Sequence, residues 1–468
     1  MEMKEEPTTA RSQIVLCFDG TGNTFRADGT ETNILRICRM LQRGDDQLVY
    51  YQPGIGTTIT PSSLAATRLQ KTLTKGKSKT LSQALGQTFD QHVLGGYRFL
   101  MRHYRSATDI YILGFSRGAY TALFLAEMLD AAGLLGPDNE EMIPLVWAAF
   151  SRLKLTRYQT AESQEKAGAY LRHCRETLCR PVRPVRFLGL FDTVNSVAEF
   201  EVVNEGRSNA RVVRHAVSVD ERRVKFQPVL LGVYGRGGRG RRVDRVLSGL
   251  GDGDGDGDGG GDAQDFEEVW FPGNHADIGG GFQRGPQERT QLSHVPLVWM
   301  VQEAQRAGLR LDRGKMRELG VLEEEEELGE ESSRFEAALV ESCTQGLLHS
   351  SLDTGDGVSR TTAWLWRFME WIPIPRAAMQ NDGRWALVHW PPHRGAPRDT
   401  PLDAKFHGAT IRRMKADPVY RPGNVIVGGR GRNCRHAPRG FGIGEWDACS
   451  GGGSLAREIY MRRLPEQS

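Results

Sequence analysis

The feature that most constrains this chain is an alternation, beginning at Ile14, of short β-rich apolar runs with longer runs of helical apolar spacing. Parallel strands need long crossovers, so the alternation reads as a mainly parallel sheet with helices on both faces, an α/β fold. IVLCF (14–18) predicts the first strand, and in the run after it Ile34, Leu35, Ile37, Cys38 and Leu41 fall on one helical stripe behind Thr32 as N-cap. QLVYYQPGIGT (47–57) predicts a second strand ending at a Pro/Gly turn, and a helical pattern from about 80 to 104 leads to DIYIL (109–113), which runs straight into GFSRGAYTALFLAEML. Helical segments at 143–155 and 161–175 precede VRFLGLF (185–191), whose near-continuous apolar run suits a parallel strand buried on both faces. Stretches 210–221 and 267–281 predict further strand-to-loop units, and 292–309 an amphipathic helix.

Length permits about three domains at roughly 150 residues each, but α/β cores often take more, so one large domain with extensions fits the 468 residues. The expected division is a disordered N-terminus (1–12), an α/β domain (13–310) and a C-terminal extension (311–468) packed on it. Within the α/β domain, 235–265 is a low-complexity surface insertion, GRGGRGRR followed by GDGDGDGDGGGD. Its arginines resemble RNA-binding Arg/Gly tails and its aspartates fall at EF-hand spacing, yet the two charges compensate and no helical pattern flanks them, so a solvated loop is the expectation. Past about 312 the alternation weakens; Glu323–Glu327 reads as a solvated face, and Trp364, Trp366 and Trp371 with Pro373 and Pro375 as an aromatic segment packed on the main domain or near its entrance.

A net charge of +3 gives no global drive toward nucleic acid or acidic membrane, and no nucleic acid is expected. Seven cysteines, an odd number without regular spacing, point to reduced thiols and an intracellular compartment. The N-terminus MEMKEEPTTARSQ has no apolar core and no stretch reaches about 18 consecutive apolar residues, so a cytoplasmic protein without signal peptide or membrane span is expected.

GFSRG (114–118) places GxSxG between a strand and a helix, the context in which a tight turn exposes a nucleophilic serine, here Ser116. Such a serine needs an imidazole base, and the base needs a carboxylate to fix its tautomer. Downstream, Asp192 closes a buried strand and His275 lies in the Gly-rich GNHADIGGG, in the chain order Ser, Asp, His. His215 and His294 are rival bases with ready structural explanations, and Asp277 is a rival carboxylate. FDGTGN (18–23) predicts a Gly-rich loop at the carboxyl edge of the sheet, where amides near Gly20, Thr21 and Arg117 could hold an oxyanion and Asp19 line the site. A haloacid-dehalogenase phosphatase would need an aspartate where Cys17 stands, and Asp19, His275 and Asp277 show no recognisable metal-ligand spacing, so the chemistry needs no cofactor.

Seven motifs in order, LCFDGTGN, TNILRI, YYQPGIGT, GFSRGAYTA, GLFDTVNSV, HAVSVDERR and VWFPGNHADIGGGF, resemble the α/β-hydrolase family that contains the catalytic domain of type VI secretion phospholipase effectors. The resemblance covers about 14–310 and extends weakly to about 425 through HGATIRRM and YRPGNV. It implies a Ser/Asp/His esterase acting on carboxylic esters, with acyl lipids or phospholipids as substrate and peripheral membrane contact. It carries the triad onto Ser116, Asp192 and His275. The competing expectation is a catalytically idle hydrolase fold that binds RNA or an acidic partner through its Arg-rich insertion.

Overall fold

A computed structural model describes residues 11–21, 23, 25, 29–54, 78–154, 160–195, 210–234, 264–282, 288, 290–322, 330–354, 360–380, 385–426, 436–450 and 454–463. Residues 1–10 of the expected disordered N-terminus, and the low-complexity run 235–263, lie outside the described residues.

The strands of the main sheet are β1 (Gln13–Phe18), β2 (Gln47–Gln52), β3 (Asp109–Phe115), β4 (Phe187–Phe191), β5 (Val212–Ser218), β6 (Asp265–Phe271), β7 (Lys405–His407), β8 (Trp446–Ser450) and β9 (Ile459–Arg462). They form one nine-stranded sheet in the order β8-β9-β7-β6-β5-β4-β3-β1-β2. All pairings from β7 to β2 are parallel, and β9 pairs antiparallel with β7 and β8.

Strand periodicity sends alternate side chains to opposite faces, and both faces of β1 and β3 are buried. Ile14, Leu16, Phe18, Ile110 and Ile112 pack on one side with α2 (Ser78–His103), α3 (Arg117–Ala132), α4 (Ile143–Lys154) and α5 (Ala161–Leu178). Val15, Cys17, Tyr111, Leu113 and Phe115 pack on the other with α1 (Asn33–Met40), α6 (His294–Arg306) and α7 (Glu330–Gln345). At about 1.5–3 kcal/mol for each fully buried large apolar side chain, these two layers supply the main drive to fold. Thr32 caps α1 as expected, accepting from Leu35 N–H at 3.2 Å. The described residues contain no helix long and apolar enough to cross a membrane.

The strand begun at Gln47 ends at Gln52, directly before Pro53 and Gly54, as expected. One local expectation shifts: His275 sits at the start of a short helix, His275–Gly279, rather than in an irregular Gly-rich loop. The cause is Asn274, whose side chain accepts from Ala276 and Asp277 N–H while the Asp277 carboxylate accepts from Asn274 N–H, a reciprocal cap. A larger shift concerns the C-terminal extension: it supplies β7, β8 and β9 and thereby covers the edge of β6. A third apolar cluster, with Val217, Trp270, Phe406, Met414 and Tyr420, ties it to the parallel core.

Candidate active site

The carboxyl ends of neighbouring strands lie level: Phe18 of β1 is in register with Gly114 of β3, and Gly114 with Leu190 of β4. Asp19, Ser116 and Asp192 therefore emerge side by side at one edge, where ligands bind in open α/β sheets. Ser116 has φ 59° and ψ −124°, a strained conformation for a residue with a Cβ. Its N–H donates to Phe191 O at 2.9 Å, and its carbonyl accepts from Tyr120 N–H at 3.2 Å and Val194 N–H at 3.4 Å. The flanking glycines are forced by space. A Cβ at Gly118 would lie 2.4 Å from Phe18 O, and one at Gly114 2.5 Å from Ala119 Cα.

His275 follows β6 and reaches back across the edge. Its Nε2 lies 2.8 Å from Ser116 Oγ and its Nδ1 2.6 Å from Asp192 Oδ2. A carboxylate on Nδ1 keeps the proton on that nitrogen, leaving Nε2 as the acceptor that faces the serine. All three groups are buried, Asp192 completely and Ser116 and His275 to within a few per cent. The imidazole is held between two rings, Phe115 and an edge-on Phe226, each 4.8 Å away centre to centre. Burial lowers the pKa of His275 below its ordinary value, and the bond to Asp192 pulls in the opposite direction. Burial thus favours the neutral imidazole, the form that can accept a proton at Nε2.

Asp192 is held by more than His275. Arg398, from the C-terminal extension, donates to Oδ1 at 2.6 Å and to Oδ2 at 2.9 Å, and Ser218 N–H donates to Oδ1 at 2.9 Å. The guanidinium, itself 1% exposed, also donates to Ser218 O at 3.1 Å and to Phe226 O. Burial alone would raise the Asp192 carboxyl, but Arg398 and the His275 bond outweigh it and hold the group well below the usual carboxylate range. Behind them, Glu221 accepts from His275 N–H at 3.3 Å and clasps Arg223, whose guanidinium lies 3.6 Å over the Phe226 ring. Burial opposes the charge on Glu221 too, yet Arg223 and then Arg398 bring it down to about 2.

The remaining expected site residues divide. Asp19 is buried and its oxygens are occupied: it accepts from Gly20 N–H at 2.7 Å, Thr32 Oγ1 at 2.9 Å and the Tyr51 hydroxyl at 2.8 Å. The Gly20 amide expected to face an oxyanion is thus turned to its neighbour's carboxylate. Arg117 N–H is a first-turn amide of α3 and has no intrahelical partner; the Arg117 side chain bonds Thr21 Oγ1, and burial lowers its pKa to about 10. Asp277 is engaged elsewhere, accepting from Asn274 N–H at 2.9 Å and lying 2.6 Å from His349 Nδ1. His215 is fully buried between Glu268 (2.9 Å) and Thr193 N–H (3.2 Å), and His294 bonds Gly320 O at 3.1 Å. Among the described residues no three His, Cys, Asp or Glu side chains gather as a metal site.

Arg398 carries no signal in sequence, since one arginine in a Pro-rich loop matches no spacing rule. Glu221 and Arg223 lie in the HAVSVDERR motif, but nothing local distinguishes them from surface charges.

A parallel sheet clad on both faces, with a strained serine after β3, an aspartate after β4 and a histidine after β6, defines a fold of the α/β-hydrolase type. The family model described as T6SS, phospholipase effector Tle1-like, catalytic domain matches residues 12–303, and the chain belongs to that family. An uncharacterised protein of Saccharomyces cerevisiae is 24% identical, over 89% of this chain and 81% of its own length. Two solved structures are similar to this chain. One, an uncharacterised protein from Pseudomonas aeruginosa, is 19% identical over 71% of this chain, which spans 53% of that one, at a TM-score of 0.34. The other, a Tle1 effector bound to the VgrG spike of the type 6 secretion system, is 14% identical over 84% of this chain and 92% of that one, at a TM-score of 0.32.

Proposed function

We propose that the protein is a serine esterase that hydrolyses carboxylic esters of lipids, with phospholipids as the substrate class its family suggests. The observation that carries the reading is the relay of Ser116 Oγ, His275 and Asp192 at 2.8 and 2.6 Å on the carboxyl edge of the sheet. In this mechanism Ser116 Oγ bonds to the ester carbonyl carbon as its proton passes to His275 Nε2. The carbonyl oxygen takes the negative charge and is met by Arg117 N–H, aided by the positive end of α3. As the tetrahedral intermediate collapses, His275 returns the proton to the departing alcohol. Water then attacks the acyl-serine, giving its proton to His275; as the acyl–Oγ bond breaks, His275 passes that proton to Oγ, which releases the acid and restores the Ser116 hydroxyl. Asp192 stabilises the imidazolium throughout and Arg398 holds Asp192.

The test is covalent labelling of the purified chain by a fluorophosphonate, together with hydrolysis of a short-chain nitrophenyl ester and of phosphatidylcholine in detergent micelles. Labelling and turnover that vanish in both Ser116→Ala and His275→Ala, with circular dichroism unchanged, are expected. Folded wild type that neither labels nor turns over any of these esters would overturn the reading.

A further inference from the structure

An aromatic surface beside the site has its apolar side chains turned outward. Helix α8 (Arg360–Met369) buries only Ala363 completely, while Trp364, Leu365 and Phe368 are more than half exposed, as is Trp371 just beyond its end. Trp364, Phe368, Trp371 and Ile372 fall at i, i+4, i+7 and i+8, the spacing of one helical stripe, and bonds from Trp371 N–H to Phe368 O and from Ile372 N–H to Met369 O carry the coil past Met369. The Trp364 and Phe368 rings stack at 6.0 Å. In a globular protein such a stripe faces the core. Here it faces out, as one contiguous apolar patch of the kind that marks an interaction surface.

We infer that this face docks on a lipid bilayer bearing anionic headgroups. Three observations select that occupant. First, the exposed charge on the described part of this stretch is basic: between 360 and 394 the exposed charged side chains among the described residues are Arg360, Arg367 and Arg394, with Arg367 paired to Asp353 at 3.4 Å, and the described acid, Glu370, is buried against His393 and Val224 N–H. Second, Arg394 lies 4.8 Å over the Trp371 ring, placing a cation at the polar rim of an aromatic plane. Tryptophan with flanking arginine is the composition of the membrane–water boundary, where amphipathic rings sit at headgroup level and cations meet lipid phosphate. Third, the patch continues inward. Trp366, on the inner side of α8, meets Phe226 edge-on at 5.6 Å, and Phe226 packs on His275 at 4.8 Å. An acyl chain leaving a bilayer under α8 would thus follow aromatic surface to the nucleophile. This last point rests on the esterase reading above; the docking itself does not.

The experiment is flotation of the full chain with phosphatidylcholine vesicles, with and without phosphatidylserine, read alongside hydrolysis of a soluble short-chain ester. Wild type is expected to float with both, more strongly with phosphatidylserine and less at high salt, with a blue shift of tryptophan emission. The triple variant Trp364→Ala/Phe368→Ala/Trp371→Ala is expected to lose at least tenfold in vesicle affinity with soluble-ester turnover unchanged, since none of the three touches the relay. Arg360→Gln/Arg394→Gln is expected to lose only the preference for phosphatidylserine. Wild type that stays with the soluble fraction, or a triple variant that floats equally well, would overturn the inference. So would wild type that self-associates on sizing while the triple variant is monomeric and neither floats, because the face would then join copies of this chain. Flotation without hydrolysis of any ester would leave the docking face standing and remove the esterase reading, so the two failures are separable.

Discussion

Replacing Arg398 tests whether the support behind the relay does chemistry or only holds loops together. In Arg398→Met the two bonds to Asp192, at 2.6 and 2.9 Å, disappear, leaving Asp192 fully buried with one backbone donor and His275. Removing one partner of a buried ion pair costs about 3–5 kcal/mol, a large part of a folding free energy of about 5–15 kcal/mol, so the variant folds with a much reduced denaturation midpoint. The catalytic effect follows from charge. With the guanidinium gone, the whole carboxylate charge acts on the imidazole and favours its protonated form, so the acid limb of kcat/KM moves to higher pH. Loss of orientation adds to this: a charge-assisted hydrogen bond worth about 1.5–3 kcal/mol, lost from the transition state, lowers the plateau of kcat/KM by about 10- to 150-fold. Arg398→Lys keeps the charge but not the two-pronged geometry, so it should restore the limb toward the wild-type pH while recovering only part of the stability. The assay is a pH profile of ester hydrolysis beside urea unfolding of the three proteins. A variant that loses the stability but keeps both limb and plateau would show that Arg398 only braces the Ser218 and Phe226 carbonyls. A variant that loses no stability would show that the buried fork is not formed.

Two further predictions concern the relay itself. Because burial lowers the pKa of His275, activity should rise with pH through a value below the ordinary 6.5 of histidine, since only the neutral imidazole accepts the Ser116 proton; a half-maximal point of kcat/KM above 6.5 would contradict the buried, neutral base. Gly118→Ala places a methyl 2.4 Å from Phe18 O and 2.5 Å from Asp19 O, both backbone atoms that cannot swing aside, so fluorophosphonate labelling should fall at least tenfold with a lowered thermal midpoint; labelling at the wild-type rate would mean that the elbow is not pressed against β1.

What could be read in the sequence was whatever local sterics or periodicity dictates. The alternation of β-rich and helical runs pointed to the parallel sheet because a strand buried on both faces must be nearly all apolar, and β4 is so throughout while β1 and β3 are so after their first residues, Gln13 and Asp109. The serine turn was legible because Gly114 and Gly118 are required by contacts within a few residues or with the neighbouring strand end. His275 and Asp192 were legible as strand-end residues in order, although the short helix that carries His275 was not foreseen. Long-range electrostatics escaped. Asp19 looks like a site residue in its Gly-rich loop, and only the fold shows its two oxygens taken by Gly20, Thr32 and Tyr51. Arg398 lies 206 positions from Asp192, in a loop without periodicity, so its meaning exists only once the chain has closed. The same holds for β7, whose three residues KFH form a strand because Val269 and Trp270 of β6 on one side and β9 on the other offer ready hydrogen-bond partners. Both losses fall beyond residue 310, which makes the C-terminal part something other than an appendage. It carries the guanidinium that is doubly bonded to Asp192 and the strands that cover β6, the strand from whose end His275 reaches the serine. Ser116, Asp192 and His275 are therefore brought together by the first two-thirds of the chain, and Asp192 is held in place by an arginine of the last third.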